Sequence, residues 1–331
     1  MASRGLLVEL LLPSAALLVV LLLSAGLTDA QGLKADFYKN TCPGAEKIVL
    51  EEITKALSVA PTLRGPLVRL HFHDCFVNGC DGSVLLNGTK SSPAEKDALP
   101  NLSLRGFAVI DRVKAKLEKA CPGVVSCADI LAVAARDAVA LSKGPSYPVL
   151  TGRRDSRRSV SNDTNGSLPP PFLSITQLHT LFASKGLSAK DHVVLSGAHT
   201  LGTANCAAFS PRIFNFTGRG DADPALDKNY VAKLKTKCKG ISDQTTLAEM
   251  DPGSFLTFDS SYYKLVLKRR TLFGTDDALL RDATAKALVQ RFADNQSEFF
   301  KEFGVSMVNM GNFQVLTGTQ GEIRKHCALV N

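Results

Sequence analysis

The sequence predicts an all-α, mainly helical protein in two halves, with minimal β structure and something bound between the halves. Three observations predict it. Apolar residues recur at three- and four-residue intervals in run after run, the pattern of a helix with one buried face. Serine or aspartate stands at several of the expected starts, where a side-chain oxygen can satisfy an orphan backbone N–H. Strand-like alternation is scarce and short.

The first helix is expected over 44–59, with Ala45, Ile48, Val49, Ile53 and Leu57 on one stripe. PLVRLHFHDCF follows, its Leu67, Leu70 and Phe76 spaced to pack, with Asp74 opening a short loop pinched by Cys75 and Cys80. Residues 105–119 repeat the stripe with Phe107, Ile110, Val113 and Leu117, and Ser126 caps a small-residue helix through 141. A loop rich in Ser, Asn, Gly and Pro at 156–171 marks the boundary between the halves. Beyond it Ser174 and Gln177 form a capping box for 175–185, which Gly186 ends. Ser188 opens a helix running towards His199, Asp259 caps 260–269, and two more helices occupy 283–293 and 296–310. No repeat of fixed period and no low-complexity tract interrupts this order.

Residues 1–30 read as a signal peptide. Arg4 precedes an apolar run from Leu10 to Leu23, broken by Pro13 and Ser14, and Thr28-Asp29-Ala30 leads to Gln31. As a membrane anchor the run falls short of the roughly 20 apolar residues a span needs. Residues 31–331 are then expected to form a single domain, soluble and outside any membrane. All eight cysteines lie there, an even number in a secreted context, which favours disulfides. Their number alone leaves the pairing open.

The chain carries a formal charge of +8, without a block of like charge or an aromatic-interleaved basic motif. Nucleic-acid binding is therefore not expected, and loose attraction to acidic polymers outside the cell is. Six N-x-S/T sequons stand at Asn87, Asn101, Asn162, Asn165, Asn215 and Asn295, and support a glycosylated surface.

The densest chemistry is in RLHFHDCFVNGCDGSV, residues 69–84. On a helix Arg69, Phe72, His73 and Phe76 share one face, which offers a fixed cation, a titratable imidazole and two aromatic walls. A histidine beside an arginine commonly serves structure alone, but so many such groups in one segment point to function. A zinc site from His71, His73, Cys75 and Cys80 is disfavoured, because oxidised cysteines are not thiolate ligands and the spacing matches no common zinc module.

This segment resembles the distal haem helix of the class III (secretory plant) haem peroxidases. VVLSGAHTLGTANC, 193–206, is similar to that family's proximal haem-ligand motif. SCADILAVAARD (126–137), GPSYPVLTGRRD (144–155), DPALD (223–227) and GVSMVNMGNFQVLTGTQGEIRKHC (304–327) agree in order. The resemblance runs from about Gln31 to the last residue. It implies a haem peroxidase domain over 31–331, two helical halves with one haem b between them, and two bound Ca2+ ions.

The same resemblance implies a role for each matched position. His199 is the axial iron ligand, oriented by Asp276 rather than the adjacent Asp277. His73 is the acid–base group that takes a proton from hydrogen peroxide and returns it to the departing oxygen. Asn101 orients His73, Glu95 braces that pair, Arg69 stabilises developing negative charge, and Phe72 lines the cofactor pocket. The Pro169 carbonyl binds phenolic donors. The distal calcium set is Asp74, Val77, Gly79, Asp81 and Ser83, and the proximal set Thr200, Asp251, Ser254, Thr257 and Asp259. Disulfides are implied at Cys42–Cys121, Cys75–Cys80, Cys127–Cys327 and Cys206–Cys238. Asp129 and Arg154 are expected to form a structural ion pair.

Departures are few. Tyr147 stands where the family usually has Trp, Phe214 replaces a common Tyr, and Gly82 a common Ala. The expected activity is reduction of hydrogen peroxide to water with one-electron oxidation of phenolic donors, by a monomer secreted to the apoplast or cell wall. The alternative is a catalytically silent, wall-associated glycoprotein of the same fold.

Overall fold

A computed structural model describes residues 32–331, so the expected signal peptide lies outside the described residues. Helices α1 (Ala45–Val59), α2 (Arg64–Asn78), α3 (Phe107–Ala120) and α4 (Cys127–Ala140) build the first half. Ala45, Val49, Ile53, Ala56 and Leu57 bury the α1 stripe, and Val109, Ile110, Val113 and Leu117 that of α3. Each of the valine, isoleucine and leucine side chains contributes about 1.5–3 kcal/mol when taken fully out of water. Ser126 caps α4 by accepting from the Asp129 N–H at 3.1 Å. That helix is buried nearly all round, because its alanines let α1, α2 and α3 approach it closely.

The second half starts with α5 (Ile175–Ser184), held at its N-terminus by the Ser174–Gln177 capping box. Helix α6 (Ala189–Ser196) has a second box from Ser188 and Asp191, and a 3-10 turn, Gly197–Thr200, prolongs it and carries His199. Two short strands, β1 (Thr203–Asn205) and β2 (Leu247–Glu249), pair antiparallel with Ala204 opposite Ala248. Helices α7 (Ser210–Phe214), α8 (Lys228–Lys237), α9 (Ser261–Leu267), α10 (Gly274–Ala278), α11 (Ala283–Asp294) and α12 (Gln296–Gly311) complete the order. Among the described residues no helix is long and apolar enough to cross a membrane.

The main core runs through both halves, from Ile53 and Leu70 to Val194, Phe299 and Phe303, so the 156–171 loop crosses the boundary without dividing the core. A smaller core gathers Phe209, Ile213, Tyr230, Leu234, Met250 and Leu272 around the strands. The sulfurs are joined as Cys42–Cys121, Cys75–Cys80, Cys127–Cys327 and Cys206–Cys238.

Two expectations need correction. Asp74 does not open a loop: α2 continues to Asn78, because Cys75, Phe76 and Val77 are all buried and keep the helix against the core. The turn comes at Gly79, whose φ is 105° and where a Cβ would lie 2.3 Å from the Gln314 carbonyl, so a side chain has neither conformation nor space there. The ion pair of Asp129 is made by Arg153, at 2.8 Å with both partners buried, and not by Arg154. Neighbours in an extended segment point to opposite sides, and Arg154 turns outward to the Gln320 carbonyl. Asp259 also departs slightly from its expected part: it accepts from the Ser261 N–H at 2.7 Å, but Ser260 occupies the cap position of α9.

Candidate active site

Helix α2 places Arg69 and His73 one turn apart, so Arg69 Nε donates to His73 Nε2 at 3.0 Å. The other guanidinium nitrogens donate to Ser103 Oγ at 3.0 Å and the Pro100 carbonyl at 2.9 Å. His73 Nδ1 lies 2.6 Å from Asn101 Oδ1. An amide oxygen can only accept, so Nδ1 carries the proton and Nε2 presents its lone pair. Burial, aided by the Arg69 charge, pushes the His73 pKa down to about 3 against the opposing pull of Asn101, so the ring is neutral. Burial likewise lowers Arg69 to about 10, which leaves it charged. Phe72 is half-buried beside this pair, 5.7 Å from the His73 ring and 4.1 Å from Phe76.

Asn101 is 1% exposed and donates its own Nδ2–H to the Glu95 backbone carbonyl at 2.8 Å. Glu95 therefore braces the pair through its main chain and not through its carboxylate, which turns towards Asn78. Burial, with Asp81 nearby, raises that carboxyl to about 8.

The second histidine is held from the other half. His199 Nδ1 is 2.7 Å from Asp276 Oδ1, and its side chain is 38% exposed where that of Asp276 is 2% exposed. One ring nitrogen is thus tied to a buried carboxylate while the ring itself is partly exposed. Tyr262 O–H donates to the same Asp276 oxygen at 2.9 Å, and the Phe273 N–H to the other at 3.1 Å. Asp277 faces away, to Arg281 at 3.0 Å and Arg269 at 3.6 Å. The two histidine segments touch: a Cβ on Gly65, in the first turn of α2, would lie 2.9 Å from Gly202 just past the His199 turn. Pro169 stands in the loop that packs on α10, where the Pro171 carbonyl accepts from Thr275 at 3.1 Å.

Side chains from both oxygen-rich sets are drawn together: Asp74, Asp81 and Ser83 on the distal side, and Thr200, Asp251, Ser254 and Asp259 on the proximal side. Asp74, fully buried, accepts from Gly82 N–H at 3.0 Å, and Asp81 from Ser83 N–H at 3.0 Å, while Ser83 Oγ is buried without a partner. Burial and then Asp81 drive the Asp74 carboxyl well above its ordinary range, and burial raises Asp81 too. Such a cluster of buried carboxyl and hydroxyl oxygens suits a hard cation. On the proximal side Thr200 Oγ lies 3.0 Å from Asp251 and 3.4 Å from both Asp259 and the Thr257 carbonyl, and Ser254 Oγ lies 2.7 Å from Asp259. Burial pushes Asp251 up to about 7. Among the described residues the one cluster of three His, Cys, Asp or Glu donors is His71, Cys75 and Cys80, whose sulfurs are spent in a disulfide.

Sequence reasoning did not single out Ser103, Pro100 or Tyr262. The first two reach Arg69 across loop closures that leave no periodic signal. Tyr262 precedes Asp276 by fourteen residues, a separation set by the turn between α9 and α10.

The chain matches the profile of the family described as Peroxidase over residues 49–295. It is 54% identical to Peroxidase 1 of Oryza sativa subsp. japonica over 325 residues, 96% of this chain and 99% of that protein. It is 56% identical to Peroxidase 27 of Arabidopsis thaliana over 304 residues, 92% of this chain and 94% of that protein. Peroxidase 39 of Arabidopsis thaliana is 52% identical over 320 residues, 96% of this chain and 98% of that protein.

Proposed function

The chain belongs to the class III plant peroxidases and is a hydrogen-peroxide-dependent oxidoreductase with a haem, and we propose that His73 is its acid–base catalyst, His199 its iron ligand and phenols its donors. The observation that carries this reading is the pair of bonds on His73. With its proton committed to Asn101 Oδ1, the ring keeps its lone pair at Nε2, where it accepts from Arg69, a permanent cation.

A haem, of the b type, would be held by His199 and would supply the redox chemistry that couples two-electron reduction of peroxide to one-electron oxidation of donors. A partly exposed His199 ring, held by a buried carboxylate, suits that attachment. His73 Nε2 takes the proton from one peroxide oxygen and delivers it to the other, which leaves as water. Arg69 lies where negative charge grows on the departing oxygen, an electrostatic contribution of about 3 kcal/mol for one well-placed donor. Asn101 holds the productive tautomer, and Glu95 holds Asn101 through its carbonyl. Phe72 provides an apolar wall, and the Pro169 carbonyl, free of hydrogen bonds among the described residues, accepts from a phenol O–H.

Two Ca2+ ions would be held by the sets built on Asp74, Val77, Gly79, Asp81 and Ser83, and on Thr200, Asp251, Ser254, Thr257 and Asp259. Each set begins one residue after a histidine of the site, so each ion fixes the backbone that carries it. The enzyme is proposed to work as a secreted monomer, and its four disulfides support an oxidising compartment outside the cell. Its attraction to acidic wall polymers is supported by five exposed lysines between 228 and 239, none of them in an ion pair among the described residues. Mixing holoenzyme with hydrogen peroxide and then a phenol tests the reading. Stoichiometric peroxide loss followed by two phenoxyl radicals per peroxide is expected. A haem-loaded protein that left peroxide intact would be the silent glycoprotein instead.

A further inference from the structure

Asp276 is 2% exposed, and no lysine or arginine pairs with it among the described residues. Its charge is met by three hydrogen bonds alone: His199 Nδ1–H and Tyr262 O–H on Oδ1, and Phe273 N–H on Oδ2. In so dry a place each donor carries a large share of what stabilises the anion. Two of the three compete for one oxygen. The more density Tyr262 withdraws, the less Oδ1 has to pull on the imidazole proton.

We propose that Tyr262 is a positioning residue that tempers the Asp276 carboxylate and so sets how strongly the His199 imidazole donates to the iron. This rests on the reading of His199 as the iron ligand. The Tyr262 ring also lies edge-on to His199, with centroids 5.8 Å apart, which fixes the plane of the imidazole. Tyr262 is 1% exposed, so no water can take over its hydrogen bond if the hydroxyl is removed. The adjacent Tyr263, equally buried, sends its hydroxyl elsewhere, to the Val193 and Val194 carbonyls at 3.0 and 3.2 Å. It holds the backbone of α6 and leaves Asp276 alone. Two neighbouring tyrosines thus separate the tuning of the carboxylate from the support of the helix.

The test is the ferric/ferrous midpoint potential of the holoenzyme, together with the iron–histidine stretching band of the ferrous form. Tyr262→Phe frees Oδ1 to bond His199 more strongly, which favours the ferric state. At a fixed applied potential the ferric-to-ferrous ratio is expected to rise about three- to tenfold, tenfold being about 59 mV for one electron, with the band moving up in frequency. Asp276→Asn is expected to shift both readouts the other way, and Tyr263→Phe to leave both in place. A general loosening of the proximal side would not give opposite signs. Should Tyr262→Phe fail to bind one haem per chain, 3,5-difluorotyrosine encoded at position 262 keeps the ring and strengthens the donor. It is then expected to raise the potential. An unmoved potential in Tyr262→Phe or the difluoro form, while Asp276→Asn still shifts it, overturns the role of Tyr262 alone. An unmoved potential in Asp276→Asn overturns the assignment of His199 and this proposal with it.

Discussion

His73 and His199 are both imidazoles, yet their partners give them opposite tasks. An amide oxygen on Nδ1 leaves His73 neutral with its lone pair at Nε2, whereas a carboxylate on Nδ1 would make His199 a strong donor in its proposed role as iron ligand. His73→Leu is therefore expected to bind haem normally and to react with peroxide several powers of ten more slowly by stopped-flow. His199→Ala is expected to lose or misligate haem, seen in its absorption spectrum. Asn101 meets two opposed sequence signals, a glycosylation sequon and a pocket position. Its amide uses Oδ1 for His73 and Nδ2 for the Glu95 carbonyl, so a glycan on Nδ2 would break the second bond and open the pocket. Asn101 is expected to be bare in glycopeptide spectra of active enzyme, with glycan on some of the exposed Asn87, Asn162, Asn165 and Asn295. Asn101→Val is expected to slow the peroxide step by roughly one to two powers of ten. Spacing on one helix made Arg69, Phe72 and His73 legible, and the partners of Arg69 were not, because Ser103 and Pro100 arrive through loops. The Arg153–Arg154 exchange has a similar origin: adjacent identical residues carry no sign of which one faces inward.

At the scale of elements, most helices of seven residues or more could be read and the five-residue ones, α7 and α10, could not. Helices α1, α4, α5, α11 and α12 supply several turns of stripe, and the caps of α4 and α5 stand in the sequence as Ser126 and Ser174. Helix α10 spans five residues, less than two turns, so no periodicity announces it. Helix α8 had a usable signal in Asp227, whose side chain accepts from Tyr230 N–H at 2.9 Å, with Tyr230 and Leu234 one turn apart and buried. The end of α2 bears on the proposed calcium site. Asp74 lies inside the helix, one residue beyond His73, so an ion held there would act directly on the turn that carries His73. Removing calcium from the holoenzyme is expected to lower turnover and shift the haem spectrum, with recovery when calcium returns. Asp74→Asn is expected to imitate the distal part of that loss. Enzyme shown by metal analysis to lack both ions, yet unchanged in rate and spectrum, would remove the clamp from the account.

Across the whole molecule, stability depends on ties between segments far apart in the chain. Cys127–Cys327 joins residues 200 apart, and Asp155 accepts from Cys127, Ala128 and Arg324 N–H groups, capping α4 while holding the C-terminal segment. None of this can be inferred from local pattern. Asp191 makes the corresponding tie in the second half. Its Oδ2 accepts from Ser188 to cap α6, and its Oδ1 accepts from Ser306 at 2.7 Å and Asn309 at 3.1 Å on α12. Lys190 and Glu302 pair at 2.6 Å between the same helices, nearer the surface. Burial alone would raise the Asp191 pKa, but the bonds from Ser188, Ser306 and Asn309 outweigh it and hold the group below its ordinary value. The folded state thus binds the Asp191 proton less readily than the unfolded chain. Its contribution is complete above the ordinary aspartate pKa of about 3.9 and is lost as pH falls through the lower folded value. Asp191→Ala is expected to cost about 2 kcal/mol near pH 6, measured by denaturant unfolding of the calcium-loaded holoenzyme. The gap to the parent is expected to narrow below about pH 4 and to level off once both states bind the proton. A gap that stayed constant down the acid limb would show that Asp191 joins α6 to α12 by packing alone, with no part for its charge.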